Sequence, residues 1–216
     1  MRQAKKYFLS FEGETELWYF KWLSNEINNF EGSNFNMVLD TKVGIGPLKR
    51  VKQLATIGEV CITHIIDRES EDHSHTKGFL DTLSEMKDAM NLGKRIEYKL
   101  GYSNFTFELW IVLHKRDCNG ELTHRGQYLP LINNAYGESF ESLAHYKRED
   151  NFKSVLSKMS LDDVIRAIER AKLIMKNNRE LGYTLHEHKG FSYYKVNPSL
   201  SIWEIVEQIL EECGVI

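Results

Sequence analysis

The residues best suited to chemistry in this sequence are acids that follow two apolar stretches. Glu12 follows the stretch YFLSF, and Asp67 follows the β-branched stretch ITHII. Glu69 lies two residues after Asp67, so both side chains can face the same side of an extended segment. Clustered carboxylates supply the hard oxygen ligands that Mg²⁺ or Mn²⁺ prefers, and such ions support phosphoryl chemistry. These acids predict a metal site, with Glu12 as a further ligand or as a general acid or base.

A solvated acidic turn without any catalytic role is the alternative interpretation of the same residues. Acids often follow strands simply because the chain there enters water. Glu71 and Asp72 lie just beyond Glu69 and fit this interpretation better than a ligand role, although Asp72 stays a candidate. For Glu12 and Asp67 the residue types alone leave both interpretations open.

Patterns of strand and helix alternate over the first half of the chain, which predicts a parallel sheet with helices on both faces. Such an α/β sheet binds its ligands beyond the carboxyl ends of the strands, where Glu12 and Asp67 are placed. The predicted strands cover residues 7–11, 36–40, 60–66 and 95–103. The predicted helices cover residues 15–27, 77–90 and 105–114, and a further helix has Pro47 in its first turn within the segment GIGPLKRVKQLATIG.

The character of the sequence changes after His114, from an α/β pattern to a mainly helical one. We therefore divide the chain into an α/β core at residues 1–115 and a helical C-terminal part at residues 116–216, packed on the core. The three cysteines lie far apart and form no C-x-x-C pair, which argues against a disulfide framework and a zinc knuckle.

The net charge of −3 excludes nucleic-acid binding through overall charge, so such binding would need a local basic surface or metal ions. Lys49 and Arg50 follow a glycine turn and are candidates for phosphate contact, although a solvated basic face is the alternative. No apolar run approaches the length of a membrane span, and the apolar run near the N-terminus is too short for a signal peptide. We therefore expect a soluble, cytoplasmic protein without membrane contact.

Two further candidates lie near the fourth predicted helix. Glu108 is surrounded by apolar residues in FELWIVLH, so its carboxylate must be paired or lie near a polar site. Asn104 precedes this helix and is predicted to cap it, or alternatively to contact a phosphate.

Four blocks of the sequence resemble the RloB-like family, in the order and over the span expected of that family. They are FLSFEGETELWYF at residues 8–20, HIIDRESED at 64–72, GYSNFTFELWIVLHK at 101–115 and VNPSLSIWEIVEQIL at 196–210. The resemblance implies a Toprim-like fold, the Mg²⁺-dependent catalytic domain of topoisomerases, primases and some nucleases. It makes Glu12 the Toprim glutamate and makes Asp67 and Glu69 the metal-binding pair, here Asp-x-Glu where Asp-x-Asp is usual.

The resemblance also implies a function and a partner. It predicts a Mg²⁺- or Mn²⁺-dependent nuclease that acts on DNA or RNA in a phage-defence or restriction-associated system, with an AAA-type ATPase encoded nearby as its partner. A homo-oligomer is left open. Two alternatives remain. One is a non-catalytic metal-binding subunit of an ATPase complex. The other is an enzyme that acts on a nucleotide instead of a polymer, because the same metal-binding acids serve both kinds of substrate.

Overall fold

A parallel sheet of four strands forms the centre of the molecule. The computed structural model describes residues 2–56, 58–118, 120 and 122–216. The sheet has the strand order β2-β1-β3-β4, and every neighbouring pair in it is parallel. This confirms the predicted α/β sheet. Its strands are β1 (Gln3–Phe11), β2 (Phe35–Val43), β3 (Val60–Arg68) and β4 (Ile96–Asn104).

Helices cover both faces of the sheet, as predicted. The helices of the first half are α1 (Glu14–Asn29), α2 (Pro47–Gln53) and α3 (His73–Met90). Strand β3 shows why both faces must be covered, because Ile65 packs into one hydrophobic core and Ile62 and Ile66 pack into another. The first core contains the buried face of α1, and the second contains the buried faces of α2 and α3.

The fourth helix, α4 (Glu108–Leu113), is shorter than the predicted segment 105–114. Phe105 adopts a left-handed backbone conformation with a φ of 62°, which a helix cannot include. The chain therefore turns sharply after β4 before the helix begins. All six residues of α4 are buried, as its apolar sequence predicts.

The C-terminal part is mainly helical, as predicted, and it includes one short hairpin. Its residues complete the larger hydrophobic core, since Tyr128 and Val206 belong to the same cluster as Leu9. The division of the chain near residue 115 stays a prediction. The elements are a 3-10 helix (Arg125–Gln127), α5 (Tyr128–Tyr136), α6 (Leu143–Tyr146), α7 (Glu149–Leu156), α8 (Leu161–Glu180), β5 (Leu185–His188), β6 (Phe191–Tyr194) and α9 (Ile202–Cys213).

None of the helices formed by the described residues combines the length and the apolar character that crossing a membrane would require.

Candidate active site

The two central strands, β1 and β3, lie side by side, and the chain leaves them toward opposite edges of the sheet. From β1 the chain proceeds to β2 on one side, and from β3 it proceeds to β4 on the other. Such a reversal opens a crevice beyond the carboxyl ends of the two strands, where open α/β sheets bind ligands. Glu12 directly follows β1, and Asp67 is the last residue but one of β3. The main-chain N–H of Asp67 donates a hydrogen bond of 3.2 Å to Oε2 of Glu12.

Two further carboxylates lie around Asp67, each from the first turn of a helix. Glu16 is in the first turn of α1 and is 6% exposed, and Glu108 is in the first turn of α4 and is fully buried. Neighbouring hydroxyl groups hold both of them in place. The hydroxyl of Thr15 donates to Glu16 Oε2 at 3.1 Å, and the hydroxyl of Thr106 donates to Glu108 Oε2.

One cation, Lys147, lies among these acids. It follows α6 directly, and its Nζ is 3.2 Å from Oε1 of Glu108. We call Glu12, Glu16, Asp67, Glu108 and Lys147 the acidic centre. Four carboxylates thus share a single ammonium group within this set, so the acidic centre has an excess of negative charge when all five groups are ionised.

The pKa values of the acidic centre reflect this crowding. Burial raises the pKa of Asp67 well above its usual range, and the charges of Glu16 and Glu108 raise it further. The pKa of Glu16 is also raised, first by burial and then by the charge of Glu108. For Lys147, burial alone would lower the pKa, but the charges of Glu108 and Asp67 outweigh it and raise the value. Protons therefore stay on these acids more readily than they would in water.

Glu12 has a pKa near neutrality. Solvent reaches its side chain, yet the surrounding protein removes part of its hydration and raises the pKa to about 7. The hydrogen bond from Asp67 opposes this rise, and the negative charges of Glu16 and Glu69 add to it. A carboxyl group with this pKa can exchange a proton at physiological pH.

The donor types of the acidic centre fit a divalent cation. Its ligands would be hard carboxylate oxygens, and a bound cation would relieve the excess negative charge. Glu108 Oε1 is buried and receives no hydrogen bond, which leaves Lys147 as its charged neighbour. In the described part of the chain, no three His, Cys, Asp or Glu side chains are yet placed to share one ion. The carboxylates would therefore have to draw together when an ion binds.

Glu69 and Asp72 lie at the rim of the crevice and do not join the buried acids. The carboxylate of Glu69 is 3.2 Å from Nε2 of His75 and 3.9 Å from Arg125. Asp72 precedes α3, is largely exposed, and is 3.9 Å from Nδ1 of the same histidine. Of the predicted metal pair, Asp67 is thus inside the acidic centre, and Glu69 is outside it but close enough to affect Glu12.

Of three other candidates, two are placed differently from their predictions. Asn104 does not cap α4, because it ends β4 and its side-chain amide donates to the carbonyl oxygens of Tyr194 and Val196. It is also too deeply buried to contact a phosphate. Arg50 is buried and forms an ion pair of 2.6 Å with Asp40, so it is not part of an open basic surface. Lys49 is exposed and stays a candidate for phosphate contact.

Two members of the acidic centre were not predicted from the sequence. Glu16 lies four residues after Glu12 in EGETE, and this helical spacing next to a strand end was a signal that could have identified it. Lys147 gave no local signal, because it is a single lysine in a polar segment far from the other members. For Glu108, the prediction of a partner or a nearby polar site is confirmed by Thr106 and Lys147.

The fold and the site together define an α/β protein with a carboxylate-rich centre at the carboxyl ends of the two central strands. The chain matches the family model described as RloB-like protein over residues 7–209, and it therefore belongs to the RloB-like family. Comparison with curated proteins and with solved structures gave no match.

Proposed function

We propose that this protein is a Mg²⁺- or Mn²⁺-dependent nuclease that hydrolyses phosphodiester bonds of DNA or RNA. The observation that carries the proposal is the contact between Asp67 and Glu12 at the reversal of the sheet, with further buried acids and a lysine around it. Acidic side chains at this edge are what a metal-dependent phosphoryl-transfer site requires.

The metal would be held by Asp67 and Glu69, and Glu12 would either complete the ligand set or transfer a proton. When bound, the ion would supply positive charge to the phosphate and lower the pKa of an attacking water. Glu69 would have to turn away from His75 to take part. The side chains of Glu16 and Glu108 provide negative charge next to Asp67, which favours cation binding at this position.

The pKa of Glu12 favours the proton-transfer role. Near pH 7 its carboxyl group is present in both protonation states, so it can accept a proton from an attacking water or return one to the leaving oxygen. Lys147 stays protonated because its pKa is raised, and its charge would stabilise negative charge that develops on the phosphate.

A cleavage assay tests this proposal directly. Purified protein is incubated with plasmid DNA, single-stranded DNA and total RNA, with Mg²⁺, Mn²⁺ or EDTA, and with and without an AAA-type ATPase, the partner that the family resemblance implies. Glu12→Gln and Asp67→Asn should each reduce metal-dependent cutting by about 100-fold or more. Glu14→Gln is the matched control, because Glu14 is an exposed acid in the first turn of α1. Cutting that persists in both site variants would contradict the proposed site.

The biological setting of the proposal is a phage-defence or restriction-associated system. It is supported by membership of the RloB-like family, through the association with AAA-type ATPases that the family resemblance implies. In this setting the ATPase would restrain or trigger the nuclease, so that a toxic activity is tolerated in the cell.

A non-catalytic, metal-binding subunit of an ATPase complex is the second candidate. The features that favour it are the Asp67-x-Glu69 pair, where Asp-x-Asp is usual in the family it resembles, the pairing of Glu69 with His75 outside the acidic centre, and the net charge of −3. Metal binding without cutting, in the presence of the ATPase and all three nucleic acids, would support this candidate over the nuclease.

A further inference from the structure

A cavity of about 240 Å³ lies beside Glu12, between β1 and the helices α2 and α3. It shares Glu12 with the acidic centre, and α2 and α3 contribute Pro47, Thr82 and Glu85 to its lining. Its lining consists of Phe11, Glu12, Gly44, Ile45, Gly46, Pro47, His64, Thr82 and Glu85.

One residue that lines this cavity has a buried polar atom without a hydrogen-bond partner, and its neighbour in the sheet has another. His64 lines the cavity and is 4% exposed, and its Nδ1 has no hydrogen-bond partner. Ser10 lies opposite His64 in the β1–β3 ladder, and its hydroxyl also has none. Leaving such atoms unsatisfied is costly, so a polar molecule is expected to occupy the space next to them. Burial lowers the pKa of His64 to about 4, so its imidazole is neutral at physiological pH.

The charge of the lining excludes an anion. Glu85 Oε1 accepts the N–H of Leu48 at 3.0 Å, so a carboxylate already occupies the N-terminus of α2, where a phosphate would otherwise lie. Glu12 is the second carboxylate of the lining, and the lining contains neither lysine nor arginine. The cavity thus offers hydrogen-bond acceptors and suits a ligand that donates N–H groups.

The size of the cavity admits a planar ring. A cavity of about 150 Å³ is enough to admit benzene, so 240 Å³ admits a ring with polar substituents. Gly44 and Gly46 form part of the wall without side chains. A Cβ at Gly46 would lie 2.7 Å from Glu85 Oε1, so even a methyl group there would displace the carboxylate.

We propose that this cavity takes a nucleobase that carries an exocyclic amino group, as guanine, adenine and cytosine do. The inference rests on the proposed function, since Glu12 would then join the base pocket to the place where the strand is cut. The amino group would donate to the free carboxylate oxygen of Glu85, and the ring would approach the imidazole of His64. The protein would then prefer substrates with such a base at the cleavage site over those with uracil or thymine.

The test measures binding without cleavage. Protein labelled with ¹⁵N in its histidines is titrated in EDTA with the uncharged nucleosides guanosine, adenosine, cytidine and uridine, and the ring signals of His64 are followed by NMR. We expect the three amino-bearing nucleosides to shift these signals and uridine to bind about tenfold more weakly, as loss of a hydrogen bond to a charged group predicts.

Glu85→Gln sharpens the test. The glutamine still accepts the N–H of Leu48, but it places an NH₂ donor where the free carboxylate oxygen was. Guanosine, adenosine and cytidine should then bind about tenfold more weakly, whereas uridine should not. Asp88→Asn is the control, because Asp88 is an exposed acid on the same helix, outside the cavity lining.

Two results would overturn the inference. One is an absence of His64 shifts with all four nucleosides, which would mean that the cavity holds ordered water only. The other is equal binding of all four nucleosides in the wild type and in Glu85→Gln. Because binding is measured without metal, a protein that prefers amino-bearing bases but never cuts would overturn the nuclease proposal and not the base pocket.

Discussion

The main-chain N–H of Asp67 donates to the carboxylate of Glu12 across the two central strands, at 3.2 Å. This bond joins residues 55 positions apart in the sequence, and it links the two strand ends from which the chain diverges. It also holds one acid beside another, although the charge of Glu12 raises the pKa of Asp67. Like charges held this close cost stability, so we infer that the arrangement serves function.

The contribution of Glu12 to folding stability should fall as the pH rises from about 4.5 to about 7, whereas the buried His64 and His114, whose pKa values are lowered to about 4, act in the opposite direction between about 4 and 6.5. The folded pKa of Glu12, about 7, is above its ordinary value of 4.5, so ionisation of Glu12 disfavours the folded state. The stability that its protonated form provides is complete below about 4.5 and is lost as the pH rises through 7. Asp67 and Glu16 act in the same direction. Urea denaturation at several pH values measures this contribution as the free energy of unfolding of the wild type minus that of Glu12→Gln, and this difference should fall over the range. A difference that does not change with pH would contradict the raised pKa.

Mg²⁺ should stabilise the wild-type protein against heat. At a concentration 100 times its Kd, a ligand that binds only the folded state adds about 2.7 kcal/mol, which corresponds to about 5–10 °C in Tm for a chain of this size. Asp67→Asn should lose most of this increase, because it removes a central ligand charge. Differential scanning calorimetry with Mg²⁺ and with EDTA measures both. An equal increase in wild type and variant would indicate that Mg²⁺ binds elsewhere.

Replacement of Lys147 by methionine should destabilise the protein by about 1–3 kcal/mol, since Glu108 would keep a buried charge without a counter-ion. This value is below that for a fully buried pair, because the lysine side chain is 36% exposed. Lys153→Met is the control, as Lys153 is more exposed and pairs with Glu149 on the surface of α7. It should change the free energy of unfolding by less than about 0.5 kcal/mol. Equal effects of the two substitutions would mean that Lys147 does not stabilise a buried charge on Glu108.

Two glycine substitutions should have opposite consequences. A Cβ at Gly13 would lie 3.0 Å from Oε2 of Glu16, so Gly13→Ala should displace this carboxylate and weaken both Mg²⁺ binding and cutting. Gly78 lies in α3 with open space around it, so Gly78→Ala should stabilise the protein by about 1 kcal/mol and leave cutting unchanged. Thermal denaturation and Mg²⁺ titration of both variants measure these effects. Normal Mg²⁺ binding by Gly13→Ala would mean that the position of Glu16 is unimportant.

The alternation of apolar patterns in the first half of the chain was sufficient to predict the parallel sheet. Strands buried on both faces must be almost continuously apolar, and stretches such as Val60–Ile66 have that character. The positions at which individual helices begin and end were harder to predict from the sequence. The left-handed turn at Phe105, which delays the start of α4, depends on how β4 ends against neighbouring segments.

For the site, the sequence determined which acids lie at strand ends, because a polar residue directly after a buried strand must lie at the edge of the sheet. Glu12 and Asp67 were therefore predictable, and so was the need of Glu108 for a partner. Only the tertiary structure decided which groups meet. The packing of α1, α4 and the segment after α6 brings Glu16, Glu108 and Lys147 to Asp67, whereas Glu69 turns to His75. The sequence shows the kind of each charged group, but pKa values and pairings depend on distances that only the folded chain sets.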